Sequence, residues 1–154
     1  MSPRLNMFAA APKALEPLRA LGPIIAESTL EPSLIHLVEI RASQINGCAN
    51  CLHMHTADAR AHGEREERIY LLDAWRESKM YTPRERAALG WTEALTKVHE
   101  THAPDADYQA LIPEFSEAEI VYLTVLIAAI NSWNRIAVGF RAVHPNDAKL
   151  KAAA

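Results

Sequence analysis

Cysteine is scarce in this sequence: only two occur among 154 residues, Cys48 and Cys51. A chain of this length buries an adequate core without covalent staples, so a pair this rare and this closely spaced calls for a chemical reason. Long apolar runs are also missing. The longest, Ile120 to Ile130, is too short to cross a bilayer, and Asn131, Asn134 and Arg135 follow it. The first residues, MSPRLNMFAAAPKALEPL, contain no apolar signal-peptide core before Pro12, Lys13 and Glu16. No membrane partner is expected, and the expected address is the cytosol. There, two neighbouring cysteines more often do redox chemistry or bind metal than form a permanent bridge. Basic stripes are absent too. Sixteen Lys and Arg face nineteen Asp and Glu, for a net charge of -3, which argues against nucleic acid as a partner.

No segment alternates apolar and polar residues long enough to predict a strand, and no repeat or low-complexity tract appears. The remaining signals are helical. An Ala/Leu-rich pattern spans residues 12–26, with Gly22-Pro23 as an expected break or kink. EPSLIHLVEIRASQI places Leu34, Leu37, Val38, Arg41 and Ile45 at helical spacing, opens with Pro32 in its first turn and stops at Asn46-Gly47. A further helix is predicted from about Cys48 to His62, ending at Gly63. After it, Ile69, Leu72, Ala74 and Trp75 are candidate core positions. Two capping boxes, TPRE at Thr82–Glu85 and SEAE at Ser116–Glu119, predict helices reaching about Glu100 and about Val138, the second closed by Gly139. Val121, Val125, Ala128 and Ala129 suggest that this last helix is interior. HAPDADYQALIP, between the two, reads as a surface loop. The expectation is one all-α domain over residues 1–154, with six or seven helices.

On a helix, Cys48 and Cys51 are three residues apart and Cys51 and His55 four, so all three share a face, and His53 points elsewhere. A helix N-terminus favours thiolate over thiol. A thiolate attacks sulfur or peroxide oxygen, a second thiol one turn away closes a disulfide, and histidine relays a proton near neutral pH. Attachment of a c-type haem requires histidine directly after the second cysteine, where Leu52 stands. Structural zinc would need His36 or His62 as a fourth ligand beside Cys48, Cys51 and His55. A buried pair without chemistry is the remaining alternative. The dipole by itself favours Cys48 as the more acidic thiol.

EIRASQINGCANCLHMHTADARAHGE (Glu39 to Glu64) resembles the core motif of AhpD-like alkylhydroperoxidases in the carboxymuconolactone decarboxylase superfamily. YTPRERAALGWTEALT (Tyr81 to Thr96) and AAINSWNRIAVGFR (Ala128 to Arg141) resemble flanking helices of its single-domain members. The resemblance runs from about Leu34 to Pro145, with its core at 34–64. It implies an AhpD-like helical bundle assembled as a homo-oligomer, a trimer or hexamer. It also implies a peroxidase that needs neither metal nor haem, takes a hydroperoxide as substrate and is restored by an external dithiol. Cys51 is then the peroxidatic residue, Cys48 the resolving one and His55 the proton relay. Two departures stand out. The family's relay-orienting glutamate, twelve residues before the first cysteine, is replaced by His36, and Glu39 one turn later can substitute. The family's histidine between the cysteines is replaced by Asn50. His36, Glu39 and water are the remaining relay candidates.

Simpler roles compete for several residues. Glu39 can pair with Arg41 on the surface, and His36 can be an interior or interface histidine. Asp58 can orient His55 or be a plain surface carboxylate. Trp75, Trp91 and Trp133 fit a core or an interface. Asn131, Asn134 and Arg135 need partners if buried, from within the chain or from another subunit. Glu85 and Glu119 serve as caps, and Glu93 is undecided. A non-catalytic redox or zinc module, or a thiol–disulfide oxidoreductase without peroxidase activity, are the alternative functions.

Overall fold

Two capping boxes start the helices that build the centre of the molecule. In the computed structural model, which describes residues 2–144 and 146, the Thr82 hydroxyl accepts from Glu85 N–H while the Glu85 carboxylate accepts from Thr82 N–H; Ser116 and Glu119 repeat the arrangement. They open α6 (Pro83–Thr96) and α9 (Glu117–Phe140). Ahead of these lie α1 (Met7–Ala10), α2 (Pro12–Ala26), α3 (Pro32–Asn46), α4 (Ala49–Ala61) and α5 (Glu66–Tyr70), the last followed by one 3-10 turn, Leu72–Ala74. Between α6 and α9 come α7 (Val98–Thr101) and α8 (Asp105–Leu111). No strand occurs among the described residues. The fold is an all-helical bundle, with more helices than the expected six or seven because α1, α5 and α7 are pieces of four or five residues. Pro145, where the family resemblance ends, lies outside the described residues, as do residues 147–154 of the expected single domain.

The main core joins α2, α3, α6, α8 and α9 through Ile25, Leu34, Val38, Ala88, Leu111, Leu123, Leu126 and Ile127. A second cluster, with Leu37, Ile40, Ile69, Leu72, Trp75 and Leu89, packs the outer side of α3 against the segment after α4. Helix α3 therefore has apolar neighbours on two sides. Two of the functional candidates, His36 and Glu39, lie on α3 outside both cores.

Several local expectations are corrected. Helix α2 continues through Pro17 and Pro23 without ending at Gly22-Pro23; its surface is mostly exposed, so water can satisfy the carbonyls that proline leaves free. The expected loop at 102–113 contains α8, whose Leu111 is fully buried. Helix α6 stops at Thr96, and α7 is a separate turn ending at His102, whose φ is 54°. Helix α9 runs through Gly139 and is closed by Arg141 at φ 55°. Its buried face is Ile120, Leu123, Leu126, Ile127, Ala129 and Ile130, whereas Val121 is 61% exposed and Ala128 is also exposed. Ala74 is exposed as well, because the 3-10 turn rotates it away from Leu72 and Trp75.

At 24 residues, with a stretch of mean hydropathy 1.3, α9 is long and apolar enough to cross a membrane, but half of that stretch is buried in the bundle. Its C-terminal half also carries buried asparagines that bond inside the chain. It is the central helix of this fold.

Candidate active site around the cysteine pair

Gly47 ends α3 in the left-handed conformation, φ 65°, where a side chain would be strained. The Cys48 N–H then donates to the Ser43 carbonyl at 3.0 Å and the Gly47 N–H to Gln44 at 3.2 Å, satisfying the last carbonyls of α3. The chain turns at once into α4, so Cys48 is its N-cap and its sulfur accepts from Cys51 N–H at 3.3 Å. Cys48 and Cys51 are joined by a disulfide, with Cα atoms 5.3 Å apart. They are 1% and 2% exposed.

A buried amide clamp holds this turn. The Asn46 side-chain amide donates to Asn131 Oδ1 and Asn134 Oδ1, both at 2.9 Å. Asn134 Nδ2 donates to Ser43 Oγ at 3.0 Å, and Asn131 Nδ2 donates to Thr96 Oγ1 at 3.0 Å and to the Ile127 carbonyl at 2.9 Å. Arg135 Nη1 donates to the carbonyl and side-chain oxygens of Asn131. The asparagines of the NSWNR segment thus find their partners within the chain. Asn46 was legible in the sequence only as half of a stop signal; its second role depends on α9 crossing the end of α3.

Below the disulfide, Glu39 on α3 and His55 on α4 meet. Glu39 Oε2 lies 3.0 Å from His55 Nδ1 and 3.5 Å from His36 Nδ1. Helices α3 and α4 pack against each other, which brings Glu39 to His55, while His36 reaches Glu39 from one turn earlier on α3. The carboxylate can only accept, so neutral His55 carries its proton on Nδ1 and keeps a free electron pair on Nε2. Burial alone would raise the Glu39 pKa, but the contacts with His36 and His55 outweigh it and hold the carboxyl below its usual value. His36 continues outward: its Nε2 is 3.2 Å from His62 Nδ1, which also lies 2.8 Å from the Asp58 carbonyl.

The other candidates go elsewhere. Arg41 does not pair with Glu39. It bonds Glu93 at 2.9 Å, Gln44 at 3.0 Å and Asp73. Glu93 also accepts from Trp75 Nε1 and Arg76, both at 2.8 Å, a structural role that settles its assignment. Asp58 is exposed, and His53 stacks on His144 with ring centroids 3.7 Å apart. Trp75 and Trp91 are core residues. Among the described residues, no group of three or more His, Cys, Asp and Glu side chains is arranged to hold a metal ion; the two sulfurs are bonded to each other.

A cavity of about 690 Å³ opens beside this cluster. Cys51, His55, Glu39 and His36 form part of its wall, while Cys48 does not reach it. Most of the rest is apolar, with Ile25, Ile35, Met54, Leu126, Ile130 and Trp133 contributing.

Residues 12–94 match the model of the carboxymuconolactone decarboxylase family. The chain belongs to the carboxymuconolactone decarboxylase family. It is 39% identical over 138 residues to the uncharacterized protein YdfG of Bacillus subtilis, spanning 90% of this chain and 94% of that one. Among solved structures it resembles a protein of unknown function from Agrobacterium tumefaciens, assigned provisionally to antioxidant defence as an AhpD. The TM-score is 0.90 with 50% identity, over 94% of this chain and 99% of that one. The fold also matches the debrominase Bmp8, with a TM-score of 0.77 at 17% identity over 93% and 77% of the two chains. This family includes enzymes, and in this member its fold holds a Cys-x-x-Cys pair at the start of α4.

Proposed function

We propose that this protein is a dithiol peroxidase that reduces hydroperoxides through Cys51 and Cys48. The observation that carries the reading is the placement of Cys51 on the cavity wall beside His55, whose other ring nitrogen is held by Glu39. In the reduced protein, His55 Nε2 accepts the Cys51 proton, and the first turn of α4 favours the thiolate. The thiolate attacks the outer peroxide oxygen, the O–O bond breaks, and the leaving alkoxide takes the proton from His55. Cys51 is then a sulfenic acid. Cys48 attacks its sulfur, the disulfide forms and water leaves. One hydroperoxide and two thiols thus become an alcohol, water and a disulfide. An external dithiol entering the cavity restores both thiols by exchange and leaves as its own disulfide.

The dipole argument from sequence favoured Cys48 as the nucleophile. Its burial away from the cavity favours the opposite order, the one that the family resemblance implies. The near-complete burial of both sulfurs disfavours a bulky protein disulfide as substrate, and so the oxidoreductase alternative. A cytosolic homo-oligomer, a trimer or hexamer, is part of the proposal.

Stopped-flow mixing of the reduced protein with hydroperoxides tests it. The wild type is expected to show a fast oxidation phase. Cys51→Ser abolishes that phase, and Cys48→Ser retains it but stops at a sulfenic acid that dimedone traps. Absence of any peroxide-driven thiol loss in the wild type would sink the reading.

A further inference from the structure

The cavity is much larger than a peroxide bond requires. It holds about 690 Å³, whereas a water-sized oxidant takes up on the order of 30 Å³. Most of its lining is apolar, with Leu18, Ile25, Leu126 and Trp133 contributing, and its charges come from different helices. Both carboxylates of the lining, Glu39 and Asp58, stand on the α3 and α4 side with Cys51. The arginine of the lining, Arg19, stands on α2. Its guanidinium lies over the ring of Phe8 from α1, 4.7 Å from the centroid, a cation–π contact with another residue of the cavity wall. No carboxylate among the described residues pairs with it, although most other arginines of the bundle are in ion pairs.

We infer that the cavity binds an amphipathic hydroperoxide bearing a carboxylate, with the carboxylate at Arg19, the apolar chain across the cavity and the hydroperoxide at Cys51. The class is that of hydroperoxy fatty acids. The inference rests on the dithiol-peroxidase reading for its reactive end and on Arg19 for its anionic end. Burial of the chain provides most of the affinity, since each methylene removed from water contributes roughly 0.8 kcal/mol. The charges provide direction. An arginine fork donates paired N–H bonds to a carboxylate, while Glu39 and Asp58 repel it from the α3 and α4 side. The ligand therefore enters with its uncharged, oxidised portion toward the sulfur.

Two measurements test this. The first is titration of the disulfide form with oleic acid and with methyl oleate, below their aggregation limits; neither can react. The wild type is expected to bind the acid at least tenfold more tightly than the ester, and Arg19→Gln to erase that preference. The second is the reduction of 13-hydroperoxyoctadecadienoic acid, its methyl ester and cumene hydroperoxide by the reduced protein. The acid-to-ester ratio of kcat/KM is expected to exceed ten and to fall toward one in Arg19→Gln, with Arg19→Lys intermediate. Equal binding or reduction of acid and ester by the wild type overturns the ligand assignment and leaves the peroxidase reading intact. A preference for the acid in binding, lost in Arg19→Gln, with no reduction of any hydroperoxide, supports the ligand assignment and overturns the peroxidase reading. Because Arg19 is exposed, the substitutions leave the fold in place, which circular dichroism checks.

Discussion

Glu39 Oε2 lies 3.0 Å from His55 Nδ1. Two helices meet at this point, and the contact determines which nitrogen of His55 is left to face the cavity. Glu39 also approaches His36, so a single carboxylate serves two imidazoles. The contact gives a first prediction. Glu39→Gln keeps the shape of the side chain and removes its charge, and it weakens the support for an imidazolium at His55. The rate of peroxide reduction is expected to fall roughly 10–100-fold, as for other residues that orient a functional histidine, and His55→Ala to cost about 10²–10⁴-fold. Stopped-flow oxidation rates check both.

Acid stability gives a second prediction. The Glu39 and Glu93 carboxyls are both held below their ordinary value of 4.5. In each case burial opposes the shift and the neighbours prevail: His36 and His55 for Glu39; Trp75, Arg76 and Arg41 for Glu93. Just below pH 4.5 the unfolded chain takes up these protons first, so the contribution is complete above that value and disappears as pH falls through the lowered folded values. Urea midpoints are expected to be flat from pH 7 down to about 5 and to decline below. The decline should be shallower in Glu39→Gln.

The amide clamp gives a third. Asn46→Ala removes the donor shared by Asn131 and Asn134; Asn131 Oδ1 keeps its bond from Arg135, while Asn134 Oδ1 is left buried without its donor. A destabilisation of about 1–3 kcal/mol is expected from the unmet hydrogen bond, read from urea unfolding of the oxidised protein. Because the clamp sits directly before Gly47-Cys48, the disulfide is also expected to be reduced more readily by a small dithiol.

The fourth concerns α8. Leu111 is fully buried against the main core, so Leu111→Ala is expected to destabilise the protein by about 2–5 kcal/mol. The neighbouring Ile112, 52% exposed, is expected to tolerate alanine within about 0.5 kcal/mol. Thermal or urea unfolding of the two variants separates a docked helix from a surface loop.

What could be read from the chain alone was local. The capping boxes at Thr82 and Ser116, the glycine stop at Gly47, the three-residue spacing of the cysteines and the four-residue step to His55 each depend on neighbours within one helical turn. Short-range geometry is nearly independent of the rest of the fold, so those features matched their expectations. The extent of α8 did not, because DADYQAL is too polar to signal a helix until Leu111 has a core to enter. Nor did the buried face of α9, where apolar residues surround most of the helix and only its neighbours determine which stripe is covered. The partner of Glu39 was undetermined for the same reason. Arg41 is two residues away and His55 sixteen, and the choice fell to the packing of α3 beside α4, which sends Arg41 toward Glu93. The clamp at Asn46, the cavity and the presence of Arg19 in its wall likewise belong to tertiary structure. Each requires side chains from helices far apart in sequence to meet at distances that only the packed bundle sets.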